Sequence, residues 1–221
     1  MFFFIFTKII AMLSFFGRLL APKKHTVPEE TDPMKKFLIV GLGNIGPKYE
    51  NTRHNIGFKI LDHFAGKEDL VFTPARLGDI TTYKLKGRSF ILLKPSTFMN
   101  LSGKAVYYWL DKEKIPLENI FILTDDLNLP FGTLRIKTKG SDGGHNGLKD
   151  IQAQLGTTNY NRFRFGIDNE FGRRSQVDFV LGEWEPEEEA KLRERMDISV
   201  EIIKSFGLAG ITNTMNLYNG K

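Results

Sequence analysis

The sequence predicts an α/β fold: a single domain on a twisted, mostly parallel mixed sheet with helices on both faces. Three observations predict it. Short, continuous β-rich apolar runs recur at residues 37–40, 90–93 and 120–123, the pattern of strands covered on both faces of a parallel sheet. Stretches with helical spacing lie between and after them. The length of 221 residues suits one substantial core, and residues 34–221 contain no internal repeat.

In chain order, the run at residues 37–40 ends in glycine and predicts the first strand. Ile56, Ile60, Leu61 and Phe64 then repeat at helical spacing. Residues 81–85 alternate polar with apolar and predict a half-exposed strand. The second apolar run is followed by the helical set Ala105, Val106, Trp109 and Leu110, and the third by an alternating strand at residues 134–137. Leu148, Ile151 and Leu155 predict a further helix, and residues 162–165 another half-exposed strand towards one side of the sheet. Pro186, followed by Glu187, Glu188 and Glu189, suits a helix start. Its buried stripe of Leu192, Met196, Val200 and Ile203 runs to about Phe206.

Composition narrows the function classes. A hydrophobic fraction of 41% and a charged fraction of 26% exclude a disordered chain and a membrane protein with several spans. The net charge of +5 is a mild excess compatible with a polyanionic partner. With no cysteine, there is no disulfide framework, thiolate nucleophile or cysteine-ligated zinc. His25, His54, His63 and His145 are scattered without a close ligand pair, so no metal and no cofactor are expected.

Residues 2–20 are apolar and aromatic but carry Lys8 and Arg18, too short and too charged for a membrane span. The order of charge and apolar core does not suit a secretory signal either. Residues 21–33 read as a polar linker, and Met34 opens the first strand-like run. Residues 1–33 are therefore expected to be a leader outside the folded domain of residues 34–221, either mispredicted, with Met34 as the true start, or dispensable, with an amphipathic surface anchor as the alternative.

Ligands of an open α/β sheet bind beyond the carboxyl ends of its strands. Asn44, Tyr49 and His54 follow the first run, Phe98, Met99 and Asn100 the second, and Asp125 and Asp126 the third. A glycine-rich loop at residues 139–147 adds Asn146. Gly41, Gly43 and Gly46 match a dinucleotide-binding fingerprint, with Asp62 downstream. Pro47, Tyr49 and Asn51, however, imply further loop before the Ile56 stripe, and that stripe places Asp62 within a helix. The match is read as accidental.

Four blocks carry a specific resemblance: GLGNIGPKYENTRHNIGF from Gly41, KPSTFMNLSGKAV from Lys94, TDDLNLPFG from Thr124 and GSDGGHNGLKDI from Gly140. Together they resemble the bacterial peptidyl-tRNA hydrolases, from Met34 to about Leu181. The resemblance implies hydrolysis of the ester between peptide and tRNA, with His54 as base, Asp125 as its orienting carboxylate and Asn44, Asn100 and Asn146 as site asparagines. Division of roles among the three asparagines stays open. Tyr49, Phe98 and Met99 are candidate walls of the cleft. With no G-x-S-x-G elbow and no cysteine, direct attack by water is the economical expectation.

The basic residues Lys104, Arg135, Lys137, Lys149, Arg162 and Arg164 fall in the second half of the chain. The resemblance implies that Lys104, Lys137 and Arg164 grip tRNA phosphates near the acceptor end rather than read bases. It also implies a cytoplasmic protein; a monomer with no stable protein partner is the default. Arg173 and Arg174 are further candidate phosphate contacts. The competing readings are a nucleotide-dependent oxidoreductase and an RNA-binding module without chemistry.

Overall fold

The computed structural model describes Asp32 and residues 35–168 and 175–220; the apolar stretch of residues 2–20, Arg173 and Arg174 lie outside them. Among the described residues, seven strands form one sheet: β1 (Lys36–Gly41), β2 (Thr73–Ala75), β3 (Gly78–Leu85), β4 (Arg88–Pro95), β5 (Ile120–Asp126), β6 (Leu134–Lys139) and β7 (Asn159–Gly166). The helices are α1 (Ile56–Lys67), α2 (Ser102–Glu113), α3 (Asn146–Leu155), α4 (Gln176–Val180), α5 (Pro186–Ala209) and α6 (Ile211–Tyr218).

The strand order is β2-β3-β4-β1-β5-β7-β6. The central strands β4, β1, β5 and β7 run parallel, and antiparallel strands complete both sides. Because successive strand residues point to opposite faces, β1 serves two cores. Phe37 and Ile39 pack with Ile60, Phe64, Val200 and Phe206 on one face, and Leu38 and Val40 with Val106, Trp109, Leu148 and Ile151 on the other. Helices thus cover both faces, as expected. No helix of the described residues is long and apolar enough to cross a membrane.

Two expectations are corrected. The alternating strands do not share one side: β3 and β6 lie towards opposite ends of the sheet. Nor is β7 half-exposed. It runs between β5 and β6, with Arg162 only 2% exposed, because the Arg162 guanidinium donates to the carbonyls of Gly140, Ser141 and Thr158. Three acceptors make burial of that charge tolerable.

Gly57 determines how α1 sits. A Cβ there would lie 2.4 Å from Leu42 N and 2.7 Å from Leu123 O, so only glycine lets the first turn of α1 rest directly on the chain ends of β1 and β5. The turn preceding α1 is thereby held over the carboxyl edge of the sheet. At the far end of the chain, α5 starts at Pro186 with a reciprocal capping box between Glu185 and Glu188. Beyond α6, the Asn219 amide accepts from Ile136 N at 2.8 Å and donates to Ile136 O at 3.0 Å on β6.

Candidate active site

His54 occupies a 3-10 turn, Arg53–Asn55, immediately before α1. Both its neighbours are tied down. Asn55 exchanges two hydrogen bonds with the Asn44 backbone, accepting from its N–H at 2.8 Å and donating to its carbonyl at 2.9 Å. Arg53 is buried, with Nη2 2.6 Å from the Glu188 carboxylate and its guanidinium over the Phe179 and Trp184 rings. The Arg53 N–H also donates to Gly182 O at 3.0 Å. The His54 backbone therefore has little freedom.

Asp125, at the end of β5, meets the imidazole: His54 Nδ1 lies 3.0 and 2.9 Å from its two carboxylate oxygens. The rival Asp126 faces elsewhere, paired with Arg164 Nε and accepting from Asn128 N. An ionised carboxylate only accepts hydrogen bonds, so the ring proton of His54 is on Nδ1. His54 Nε2 has no protein partner among the described residues.

A second histidine joins the pair, and sequence reading had left it among the scattered ones. His145 Nε2 is 3.0 Å from Asp125 Oδ1, and the two rings lie 4.8 Å apart. Ligand atoms of His54, Asp125 and His145 fall within 4.8 Å of one another, which by spacing alone suggests a metal centre. The hydrogen bonds argue against that use. His145 Nδ1 accepts from Gly147 N at 3.1 Å and Leu148 N at 3.3 Å, capping α3. A histidine ligating metal through Nε2 carries its proton on Nδ1, for a second-shell acceptor; here that nitrogen faces two donors. The ring proton belongs on Nε2, where it is donated to Asp125.

The same contacts set the electrostatics. Burial pushes the Asp125 carboxyl upward, but the charges of His54 and His145 and their hydrogen bonds outweigh it and hold it well below the usual carboxylate range. For His54, burial pulls the pKa down, while the Asp125 charge and hydrogen bond carry it above the ordinary value of 6.5.

His54, Asp125, His145 and Asn146 line one cleft of about 400 Å³, together with Lys137, Arg162, Arg164, the loop of residues 140–144, and Gln176, Val177 and Val180 of α4. Asn44, Tyr49, Phe98, Met99 and Asn100 are not in its lining. Asn44 is nevertheless attached to the site through Asn55, and its Oδ1 accepts from Met99 N at 2.8 Å. Its amide NH2 is thus the group left for a ligand. Met99 is buried and reaches the glycine loop: a Cβ on Gly147 would lie 2.6 Å from its Sδ and 3.1 Å from His145 Cε1. Phe98 is half exposed, Asn100 exposed and Tyr49 partly exposed.

The expected phosphate-gripping residues divide. Across the β6–β7 ladder, Arg135 opposes Arg164 and Lys137 opposes Arg162, while Leu134, Ile136, Phe163 and Phe165 point into the core. Like charges directly opposite one another are destabilising. Arg164, partial burial and Arg135 lower the Lys137 pKa. Arg162 is engaged with carbonyls and Arg164 with Asp126, which makes Lys137 the cation most available for an anion. Lys104 is exposed on α2 and does not line the cleft.

The glycine fingerprint is no dinucleotide loop. Two 3-10 turns separate Gly46 from α1, and Asp62 lies within α1, paired with Lys94 of β4 at 2.5 Å.

A cleft over the carboxyl edge of a parallel sheet, with a histidine backed by a buried carboxylate, is the architecture of an α/β enzyme. Comparison with known proteins makes the class particular. The family model described as peptidyl-tRNA hydrolase matches residues 38–221. A peptidyl-tRNA hydrolase of Bacteroides fragilis is 62% identical over 186 residues, covering 84% of this chain and 100% of that protein. One from Porphyromonas gingivalis is 56% identical over 184 residues, covering 83% and 100%. The crystal structure of the peptidyl-tRNA hydrolase of Acinetobacter baumannii superposes with a TM-score of 0.78 at 32% identity, covering 85% of this chain and 96% of that one. The chain belongs to the peptidyl-tRNA hydrolase family.

Proposed function

We propose that residues 34–221 form a hydrolase that cleaves the ester between a peptide and the 3′-terminal ribose of tRNA, using water activated by His54. The observation that carries this reading is the division of one ring: His54 Nδ1 is engaged by Asp125, while Nε2, without a protein partner among the described residues, belongs to a residue lining the cleft. In this reading Nε2 takes a proton from water as the water oxygen bonds to the ester carbonyl carbon, whose π pair moves to oxygen. Collapse of the oxyanion breaks the ester C–O bond, and the ribose oxygen leaves with the proton held by His54. Asp125 stays ionised and stabilises the transient imidazolium.

Asn44 has a free amide NH2, which suits donation to the oxyanion. Asn100 and Asn146 hold the water or the substrate backbone, and Tyr49, Phe98 and Met99 border the peptide. No hydroxyl or amine of the described residues hydrogen-bonds His54, which favours water over an acyl-enzyme. The proton on His145 Nε2 favours a reaction without metal. Lys104, Lys137 and Arg164 contact phosphates near the acceptor end, and such a substrate implies work in the cytoplasm, with a monomer as the default.

Peptide release from N-blocked aminoacyl-tRNA by the purified chain tests the reading. His54→Ala is expected to lose at least about 10²-fold in turnover with an unchanged circular dichroism spectrum. Near-normal turnover by that variant would refute the assignment. Tight tRNA binding by the wild-type chain without cleavage would favour the RNA-binding module.

A further inference from the structure

We propose that His145 is a positioning residue, holding the Asp125 carboxylate so that it faces His54 Nδ1. This rests on the reading of His54 as the base. Asp125 Oδ1 receives both His54 Nδ1 at 3.0 Å and His145 Nε2 at 3.0 Å, so the carboxylate is gripped from two elements: the turn before α1 and the loop before α3. An aspartate with one donor can rotate about its terminal torsion; with two donors from different elements it is fixed. Helix α3 supplies the second half of the device. Its first N–H groups, Gly147 and Leu148, require an acceptor at His145 Nδ1, so the N-terminus of a helix determines which nitrogen of His145 donates to Asp125.

His145 also shares the Asp125 charge. Asp125 and His145 are the ionisable groups facing His54; the same cleft holds Asp126 paired with Arg164, together with Lys137, Asp142 and Arg162. Removing one donor from Asp125 leaves more of its charge to the His54 imidazolium. His54 then remains protonated to higher pH, where it is no base.

Two substitutions separate this role from plain helix capping. Asparagine is among the best N-cap residues, but its side chain ends too early to reach Asp125. Glutamine reaches about as far as imidazole Nε2 and restores a donor, but gives up the cap. His145→Asn is expected to fold and melt like the wild type, to lose about tenfold in kcat with little change in KM, and to shift the acid limb of the kcat/KM profile upward. His145→Gln is expected to recover much of the kcat while melting lower. Nitrogen-15 spectra of histidine-labelled full-length chain provide a readout besides activity, expected to show His145 protonated at Nε2 and bare at Nδ1. A His145→Asn enzyme with wild-type kcat and acid limb, beside an inactive His54→Ala, would overturn the positioning role and leave the reaction standing. A spectrum with the proton on Nδ1 would overturn it even if the Asn variant did not fold. An active His54→Ala would instead remove the reaction on which the proposal rests.

Discussion

Buried Arg53 and partly buried Glu188 form an ion pair, with 2.6 Å between Nη2 and Oε2, that joins the residue preceding His54 to the first turn of α5. Glu188 also accepts from the Glu185 N–H in the capping box. One carboxylate therefore holds both a helix start and the turn bearing the proposed base.

Glu188→Ala should consequently be costly. It strands a guanidinium that is 1% exposed, with Glu185 at 3.8 Å as its nearest replacement. A destabilisation of about 3 kcal/mol is expected, read from the urea midpoint; a change indistinguishable from zero would show that the pair contributes nothing.

The pH dependence of kcat/KM follows from the imidazole. The base works only when neutral, and Asp125 raises the His54 pKa above 6.5. Activity should therefore rise with pH along an acid limb whose midpoint lies above that value. Asp125→Asn should move the midpoint downward and cost at least about 10²-fold in rate, through loss of orientation. A midpoint unmoved by Asp125→Asn would exclude the pair as the source of the limb.

Asp125 also sets an acid limit to stability. Its folded pKa is depressed below the ordinary 3.8, so its contribution is present above about pH 3.8 and is lost as pH falls towards the folded value. Urea unfolding at pH 5 and pH 3 should show a larger loss for the wild type than for Asp125→Asn. Equal losses in the two proteins would contradict this assignment.

Lys137 and Arg162 should separate in tRNA binding. Lys137→Ala is expected to lower the slope of log affinity against log salt by about one. Arg162→Ala should instead lower the melting temperature, because the carbonyls of Gly140, Ser141 and Thr158 lose their common donor. An unchanged slope for Lys137→Ala would remove it from the phosphate contacts.

Gly147→Ala probes the packing beneath the cleft. The new methyl would press on Met99 Sδ and His145 Cε1, and overpacking of this kind costs about 1–3 kcal/mol. A fall in both melting temperature and turnover is expected, whereas a variant equal to the wild type in both would mean that the loop yields freely.

The central strands were legible because each face of β1, β4 and β5 is covered, which writes continuous apolar runs into the sequence. The alternating strand β7 was misread for the converse reason: Arg162 and Arg164 look like solvent-facing residues, and nothing local announces the loop carbonyls that satisfy Arg162. The short β2 and the helices α4 and α6 gave no clear periodic signal. At the site, His54 and Asp125 were read from motif blocks. Their meeting depends on Gly57 seating α1 against β1 and β5, a tertiary fact. His145 escaped notice because its role comes from a hydrogen bond across 20 residues to Asp125. The one local hint was its position just ahead of a helix start.

The Asn219 amide lies against Ile136 of β6 as a passing strand would, taking one backbone donor and one acceptor at the outermost rung of the sheet. An outer strand left bare invites pairing with another molecule. By presenting a side chain where a neighbouring backbone would dock, and by flanking that rung with Arg135 and Lys137, the protein makes self-association through this margin unfavourable. Shortening the chain before Asn219 would leave the charges as the remaining barrier to growth into fibres or clumps.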